Sequence, residues 1–140
     1  MIGDMTSETI KINLGSVFKT EGSEQRTMEI KGRDLISGIP KTLTINEAEI
    51  REALTEPVNV ILDTIKVILE NTPPELASDI VDRGIILAGG GALLKGLDQL
   101  IHQETGLPVF VADDPLTAVV RGVGKMLDEI DLLKRVAITL

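Results

Sequence analysis

Between residues 46 and 71 the apolar positions fall at Ile50, Leu54, Val58, Ile61, Ile65 and Ile68, three or four apart. That spacing lays them along one face, so a long helix is expected over residues 47–71. Asn46 and Glu49 stand at the capping-box spacing that would open it. Pro57 lies inside and is expected to kink or break it, because proline removes a backbone donor. Upstream, Met28 and Ile30 alternate with charged residues, and Leu43 and Ile45 alternate again after Ser37-Gly38-Ile39-Pro40. Two antiparallel strands are expected, joined by a loop carrying Gly38 and Pro40, with one apolar face that something must cover. The first segment is ambiguous. Ser7 could cap a turn and Gly15 could end it, yet Ile10, Ile12 and Leu14 alternate as in a strand. Residues 16–26 are polar with glycine and read as a loop.

Downstream, Thr72-Pro73-Pro74-Glu75 reads as a second helix start with Thr72 as cap, and the short helix ends at Gly84. The pattern then becomes strand, helix, strand, helix. Residues 85–88, Ile-Ile-Leu-Ala, form a short apolar run that stops at Gly89-Gly90-Gly91. Leu93, Leu94, Leu97, Leu100 and Ile101 make a helical stripe closing at Gly106. Residues 108–112 read as a second buried strand. Asp114 before Pro115 reads as a cap and first helical residue, with Ala118, Val119, Gly122 and Met126 lining the last helix. Two strands with helical crossovers imply a parallel α/β layer.

Composition narrows the chemistry. Of 140 residues 43% are hydrophobic, but with two Phe and no Tyr or Trp there are no stacking platforms for single-stranded nucleic acid. A net charge of −8 argues against binding that neutralises a phosphate backbone. Without cysteine there is neither a disulfide framework nor a thiolate metal site, which fits a reducing cytoplasm. No apolar run approaches the roughly 20 residues that span a bilayer. The start has neither a signal-peptide pattern nor a basic amphipathic face.

The three adjacent glycines are the main candidate for chemistry. Each loses more backbone entropy on folding than any other residue, so something must require bare backbone there. A strand that runs into glycines opening a helix offers N–H groups and a helix dipole to an anion or nucleotide. The plain alternative is a tight turn that lets the helix pack on the sheet. A P-loop is excluded, since Lys95 comes too late and no Ser or Thr follows it. The dinucleotide fingerprint is a near match: Gly89 and Gly91 fit, Leu94 occupies the third glycine position, and Asp113 ends the next strand where a ribose-binding acid would stand. A Rossmann-like dinucleotide domain of an oxidoreductase is therefore a rival reading, and an interaction module without ligand is a third. His102 falls on a polar helix face and reads as solvated. No acid pair or Ser–His–Asp set makes a catalytic constellation.

Residues 73–128, from Pro-Pro-Glu-Leu through Ile-Ile-Leu-Ala-Gly-Gly-Gly to the last helix, closely resemble the C-terminal part of the MreB family of bacterial actins. The segments Thr6–Gly15 and Thr27–Ile45, with Glu49–Val58 after them, resemble the smaller inserted subdomain of the same family, in the same order. The resemblance covers essentially the whole chain. It implies an α/β chain with part of the actin/heat-shock-chaperone-like ATPase fold. Residues 1–71 would be the inserted subdomain of hairpin and long helix, and residues 72–140 part of the larger subdomain, in αβαβα order.

The resemblance also implies a ligand. In that superfamily a glycine turn after a strand packs on the adenosine of bound ATP or ADP, which assigns Ala88, Gly89, Gly90 and Gly91 to the nucleotide. An acid and a lysine spaced E-x-x-K stand on the other side of the adenosine, here Glu8 and Lys11. They would share a helix face, so any strand should begin only after Lys11. Gly122 would permit close packing of the last helix. Both phosphate loops, the catalytic acid and the Mg²⁺-phosphate site of the full-length family have no counterpart here. The chain alone is therefore expected not to be an enzyme. Its two strands would be a remnant with unprotected edges, so the chain is expected to be a fragment that self-associates or packs loosely. The family implies a cytoskeletal filament protein that determines rod cell shape, cytoplasmic at the inner face of the membrane. Filament contacts run head to tail, and this chain would carry one side. A RodZ-type adaptor is a further implied partner, while neither nucleic acid nor direct membrane binding is expected.

Overall fold

The computed structural model describes residues 1–19 and 26–129. The loop reading of residues 20–25 and anything after 129 lie outside the described residues. The chain opens with a helix, α1 (Asp4–Leu14), not a strand. Ile10 and Leu14, four apart, point inward at 4% and 3% exposure, whereas Ile12 is 65% exposed. One helical face accounts for those figures; the apparent alternation was incidental to it. Gly3, not Ser7, is the N-cap, and Gly15 closes the helix by donating to the Lys11 carbonyl.

Strands β1 (Thr27–Arg33) and β2 (Pro40–Asn46) form the expected antiparallel hairpin, with Met28 opposite Ile45 and Ile30 opposite Leu43. Pro40 begins β2 rather than belonging to the loop, a position that needs no ladder donor. Asn46 then caps α2 (Glu47–Glu70), its side chain accepting from Glu49 while the Glu49 carboxylate accepts from the Asn46 amide at 2.8 Å. The helix runs 24 residues through Pro57 without the expected break. Of the expected inward stripe Leu54, Val58 and Ile65 do pack in the core, with Leu62 beside them, while Ile61 and Ile68 are 44% and 60% exposed.

α3 (Pro74–Arg83) starts from Pro73 with no side-chain cap, because the Thr72 hydroxyl donates back to the Ile68 carbonyl instead. It ends at Gly84, whose φ is 75°. A Cβ there would sit 2.3 Å from the Pro108 carbonyl oxygen, so Gly84 permits the strand that follows to lie against its neighbour. That strand, β3 (Ile85–Leu87), pairs in parallel with β4 (Val109–Val111), in the register Ile85–Val109. Between them runs α4 (Leu97–Thr105), the crossover a parallel pair requires. The core joins α2 to this layer: Val58 and Leu62 pack with Leu97 and with Ile101, which is fully buried.

α5 (Ala118–Asp128) starts three residues later than Pro115, the first helical residue that the Asp114-Pro115 pair suggests. The Asp114 carboxylate accepts from the Thr117 hydroxyl and its carbonyl from the Thr117 amide, so it holds a turn rather than capping the helix. No residue of α5 is buried; Val119 and Met126 are 68% and 46% exposed, and nothing described lies within 4 Å of a Cβ placed on Gly122. The close packing expected there is not made by this chain's own described residues. Among the described residues no helix is long and apolar enough to cross a membrane.

Candidate functional site

Leu87 ends β3, and the chain turns sharply at Gly89, whose φ of 82° is a region side-chain-bearing residues avoid. Gly90–Leu93 then makes a single 3-10 turn, and α4 begins only at Leu97, after Gly96 in the left-handed conformation. The glycines therefore do not open an α-helix. The Gly89 N–H is already given to the Pro115 carbonyl at 2.6 Å. A four-residue turn with that donor engaged is not the anion cradle expected from a helix N-terminus.

The space around the turn says what the glycines do not do. A Cβ at Gly91 would meet nothing within 4 Å, and one at Gly90 only the Leu116 side chain, at 3.5 Å. By contrast, Cβ atoms at Gly15 and Gly96 would fall 2.2 Å from the Lys11 carbonyl oxygen and 2.4 Å from the Phe18 side chain. Gly15 and Gly96 are bare for packing within the chain; Gly90 and Gly91 are bare toward open space. The tight-turn alternative thus explains Gly89 but neither of its successors. Ala88 is exposed beside them.

Glu8 and Lys11 sit on the exposed face of α1, one turn apart, and neither has an ion pair or hydrogen bond from its side chain to another described residue. Their helix is tied to the glycine turn by backbone. Ser16 bridges to Lys95 in parallel fashion, and Val17 donates to the Lys95 carbonyl at 2.9 Å. Leu94 closes the same joint, within 3.1 Å of a Cβ on Gly15. The two groups of candidate residues, far apart in sequence, therefore belong to adjoining segments. Sequence reasoning missed the third wall. Pro115 and the 66% exposed Leu116 bring the β4–α5 turn onto the glycines through the Gly89 bond. The sequence signal is the Asp114-Pro115 pair, which by itself reads as a helix start.

A buried ion group braces this region from below. Glu47, 2% exposed, meets Arg26 and Arg51, each at 3.3 Å. Arg26 also donates to the Asn13 carbonyl, linking the end of α1 to the start of α2. Elsewhere His102 is exposed as expected, with its Nδ1 against the Leu107 carbonyl at 2.6 Å. Among the described residues no cluster of three or more His, Cys, Asp or Glu could hold a metal. Asp113 lies with Asp114, Arg121 and Lys125 around a shallow cavity of about 260 Å³. The dinucleotide alternative fails here: its fingerprint requires glycines that lead straight into a helix, and these lead into a separate turn.

The chain has clear relatives among known proteins. The family model described as MreB/Mbl protein matches residues 1–135. The cell shape-determining protein Mbl of Bacillus subtilis is 50% identical over 135 residues, 96% of this chain and 40% of its own. The cell shape-determining protein MreB of Escherichia coli is 52% identical over 132 residues, 94% of this chain and 38% of its own. The crystal structure of MreB5 of Spiroplasma citri bound to ADP superposes with a TM-score of 0.88 at 38% identity, over 97% of this chain and 41% of that one. The chain thus spans about two fifths of the length of these relatives, 40% and 38% of the two curated ones.

Proposed function

Because the chain belongs to the MreB/Mbl family, we propose that it supplies the adenosine side of the ATP site in an actin-type filament protein that determines rod cell shape. Its fold is the corresponding part of the actin-like fold. In this reading residues 1–71 and 72–140 are the inserted and larger subdomains, joined through the α2–α4 core. Ala88 and Gly89–Gly91 lie flat against the adenosine, and Glu8 with Lys11 reaches it from α1. The observation that carries the reading is the open space over Gly90 and Gly91, room for a flat ring system that a Cβ would invade. MreB5 of Spiroplasma citri has been solved with ADP and with AMPPNP, in line with an adenine nucleotide at this place.

Among the described residues no acid cluster stands ready to hold a metal ion, and this reading assigns hydrolysis to the longer protein. The same reading assigns the protein to filaments at the cytoplasmic face of the membrane, with a RodZ-type adaptor as partner. The test is calorimetric titration of the chain with ADP, ATP and NAD, beside Glu8→Ala. Binding of ADP and ATP, weakened by the substitution and absent for NAD, supports the reading. Preference for NAD refutes it.

A further inference from the structure

A cavity of about 560 Å³ lies at the turn end of the β1–β2 hairpin and shares no residue with the glycine turn. Its apolar lining is Met1, Ile2, Ile30, Leu35, Ile36 and Leu43. The hairpin register builds one wall. Ile30 stands opposite Leu43 and Gly32 opposite Lys41, so these four share one face of the two strands. The segment before α1 builds the second wall. The Arg33 amide donates to the Met1 carbonyl at 2.9 Å, and the Met1 amino group donates to the Arg33 carbonyl at 2.6 Å. A Cβ on Gly32 would fall 2.7 Å from the Met1 carbonyl oxygen and 3.0 Å from the Ile2 side chain, so bare backbone is what lets this wall lie close.

The hairpin tip is the third wall. The Asp34 carboxylate accepts from the Ile36 and Ser37 amides, both at 2.9 Å. Asp34 and Ile39 also pair through backbone at 3.0 Å, and Gly38 turns at φ 72°. Leu35 and Ile36 are thus held at 76% and 100% exposure by a fixed turn, not by a slack loop. Pockets for small organic molecules run from about 300 to 1,000 Å³, mostly apolar with a few placed polar groups, and this cavity has that size and lining.

The polar groups decide the sign of the ligand. Arg33 and Lys41 are the cations of the lining and Asp34 is its acid. Asp34 is taken up by the two tip amides. The Arg33 guanidinium reaches the Met1 sulfur at 3.9 Å, and among the described residues the Lys41 ammonium has no side-chain partner. An apolar hollow whose uncommitted charges are both positive, in a chain of net charge −8, selects an anion with a hydrocarbon body.

We propose that this hollow binds a small amphipathic anion, a medium-chain fatty carboxylate, with its tail against Ile2, Ile30 and Leu43 and its head group toward Arg33 and Lys41. The apolar surface that Leu35, Ile36 and Leu43 leave to water drives binding, and the two cations choose the head group. The site stands apart from the nucleotide reading and does not depend on it.

Calorimetric titration with decanoate, decylammonium and acetate, kept below the concentrations at which the first two form micelles, tests tail and charge separately. Decanoate should bind saturably, acetate should not, and decylammonium should bind more weakly than decanoate. Leu43→Glu, at a half-exposed position, sets a like charge in the hollow and should weaken decanoate by about tenfold or more. Lys41→Glu should weaken it several-fold and remove the preference over decylammonium. Circular dichroism checks the fold of both variants, and the ligand series on the parent chain needs neither. Absence of saturable decanoate binding, equal binding of decylammonium, or an unchanged affinity in folded Leu43→Glu overturns the proposal. Pelleting of the chain with phosphatidylglycerol vesicles without binding of monomeric decanoate would assign the tip to a lipid surface and overturn it equally.

Discussion

Val17 donates its amide to the carbonyl of Lys95 at 2.9 Å, and this one bond fastens the segment after α1 to the segment after the glycine turn. Glu8 and Lys11 lie nine and six residues before the first partner; Gly89–Gly91 lie six to four residues before the second. The candidate site is therefore assembled by backbone pairing, not by contact between the candidate side chains. Its two sides keep their relation as long as the joint is intact.

Glycines at the joint and glycines at the turn should respond oppositely to substitution. Gly91→Ala adds a methyl into open space at a backbone that tolerates it, and should shift stability by no more than about 0.5–1 kcal/mol. Gly96→Ala places a Cβ against Phe18 at a φ of 78° and should cost about 2 kcal/mol or more. Urea denaturation of both variants checks this; similar midpoints would contradict the account of what each glycine is for.

Glu47→Ala should be among the most damaging single changes outside the core. It removes the buried carboxylate that Arg26 and Arg51 meet; the arginines left behind are 43% and 19% exposed and stay partly solvated, so the cost should be about 1–3 kcal/mol. Because Arg26 also binds the Asn13 carbonyl, amide protection at the end of α1 should fall with it. Hydrogen exchange of Asn13 and Leu14 is the measurement.

Ile101 has no exposed surface and sits where α2 meets α4. Ile101→Ala should cost about 2–5 kcal/mol, by lost burial and the cavity left behind. A thermal melt showing less than about 1 kcal/mol would mean that this core does not limit unfolding.

Acid should leave the hairpin tip ordered for longer than an ordinary carboxylate would allow. The Ser37 and Ile36 amides hold Asp34 below its usual 3.8. A lowered value stabilises above 3.8, and the contribution is lost as pH falls through the depressed value. The Ile36 and Ser37 amide resonances should therefore titrate with a midpoint below 3.8. At the other end of the scale Glu104, bonded to Lys66 at 2.7 Å, holds that ammonium above 10.5. Its contribution is present below 10.5 and lost as pH rises through the raised value. Being exposed, the pair should add little to stability.

Local chemistry was legible in the sequence where one segment decided the outcome. Asn46 and Glu49 form their capping box, and the segments carrying Met28, Ile30, Leu43 and Ile45 are the two strands of an antiparallel hairpin. The outcomes that sequence reading missed depend on distant partners. Ile10 and Leu14 read as strand until a core is present for a helical face to meet. Leu62 displaces Ile61 from the inward stripe because α4 lies on that side of α2. Asp114 loses its cap role because Pro115 is drawn toward Gly89. The glycine run showed that bare backbone was needed; only its surroundings distinguish internal packing from open space.

The account stands on the adenosine lying between the glycine turn and α1, and amide chemical-shift mapping of the isotopically labelled chain during ADP titration tests that most directly. Saturable shifts at Gly90, Gly91 and Leu116 together with Glu8 and Lys11, and none around Asp113, are predicted. Shifts centred on Asp113 and Arg121, or no saturable shift at the glycines, would contradict it.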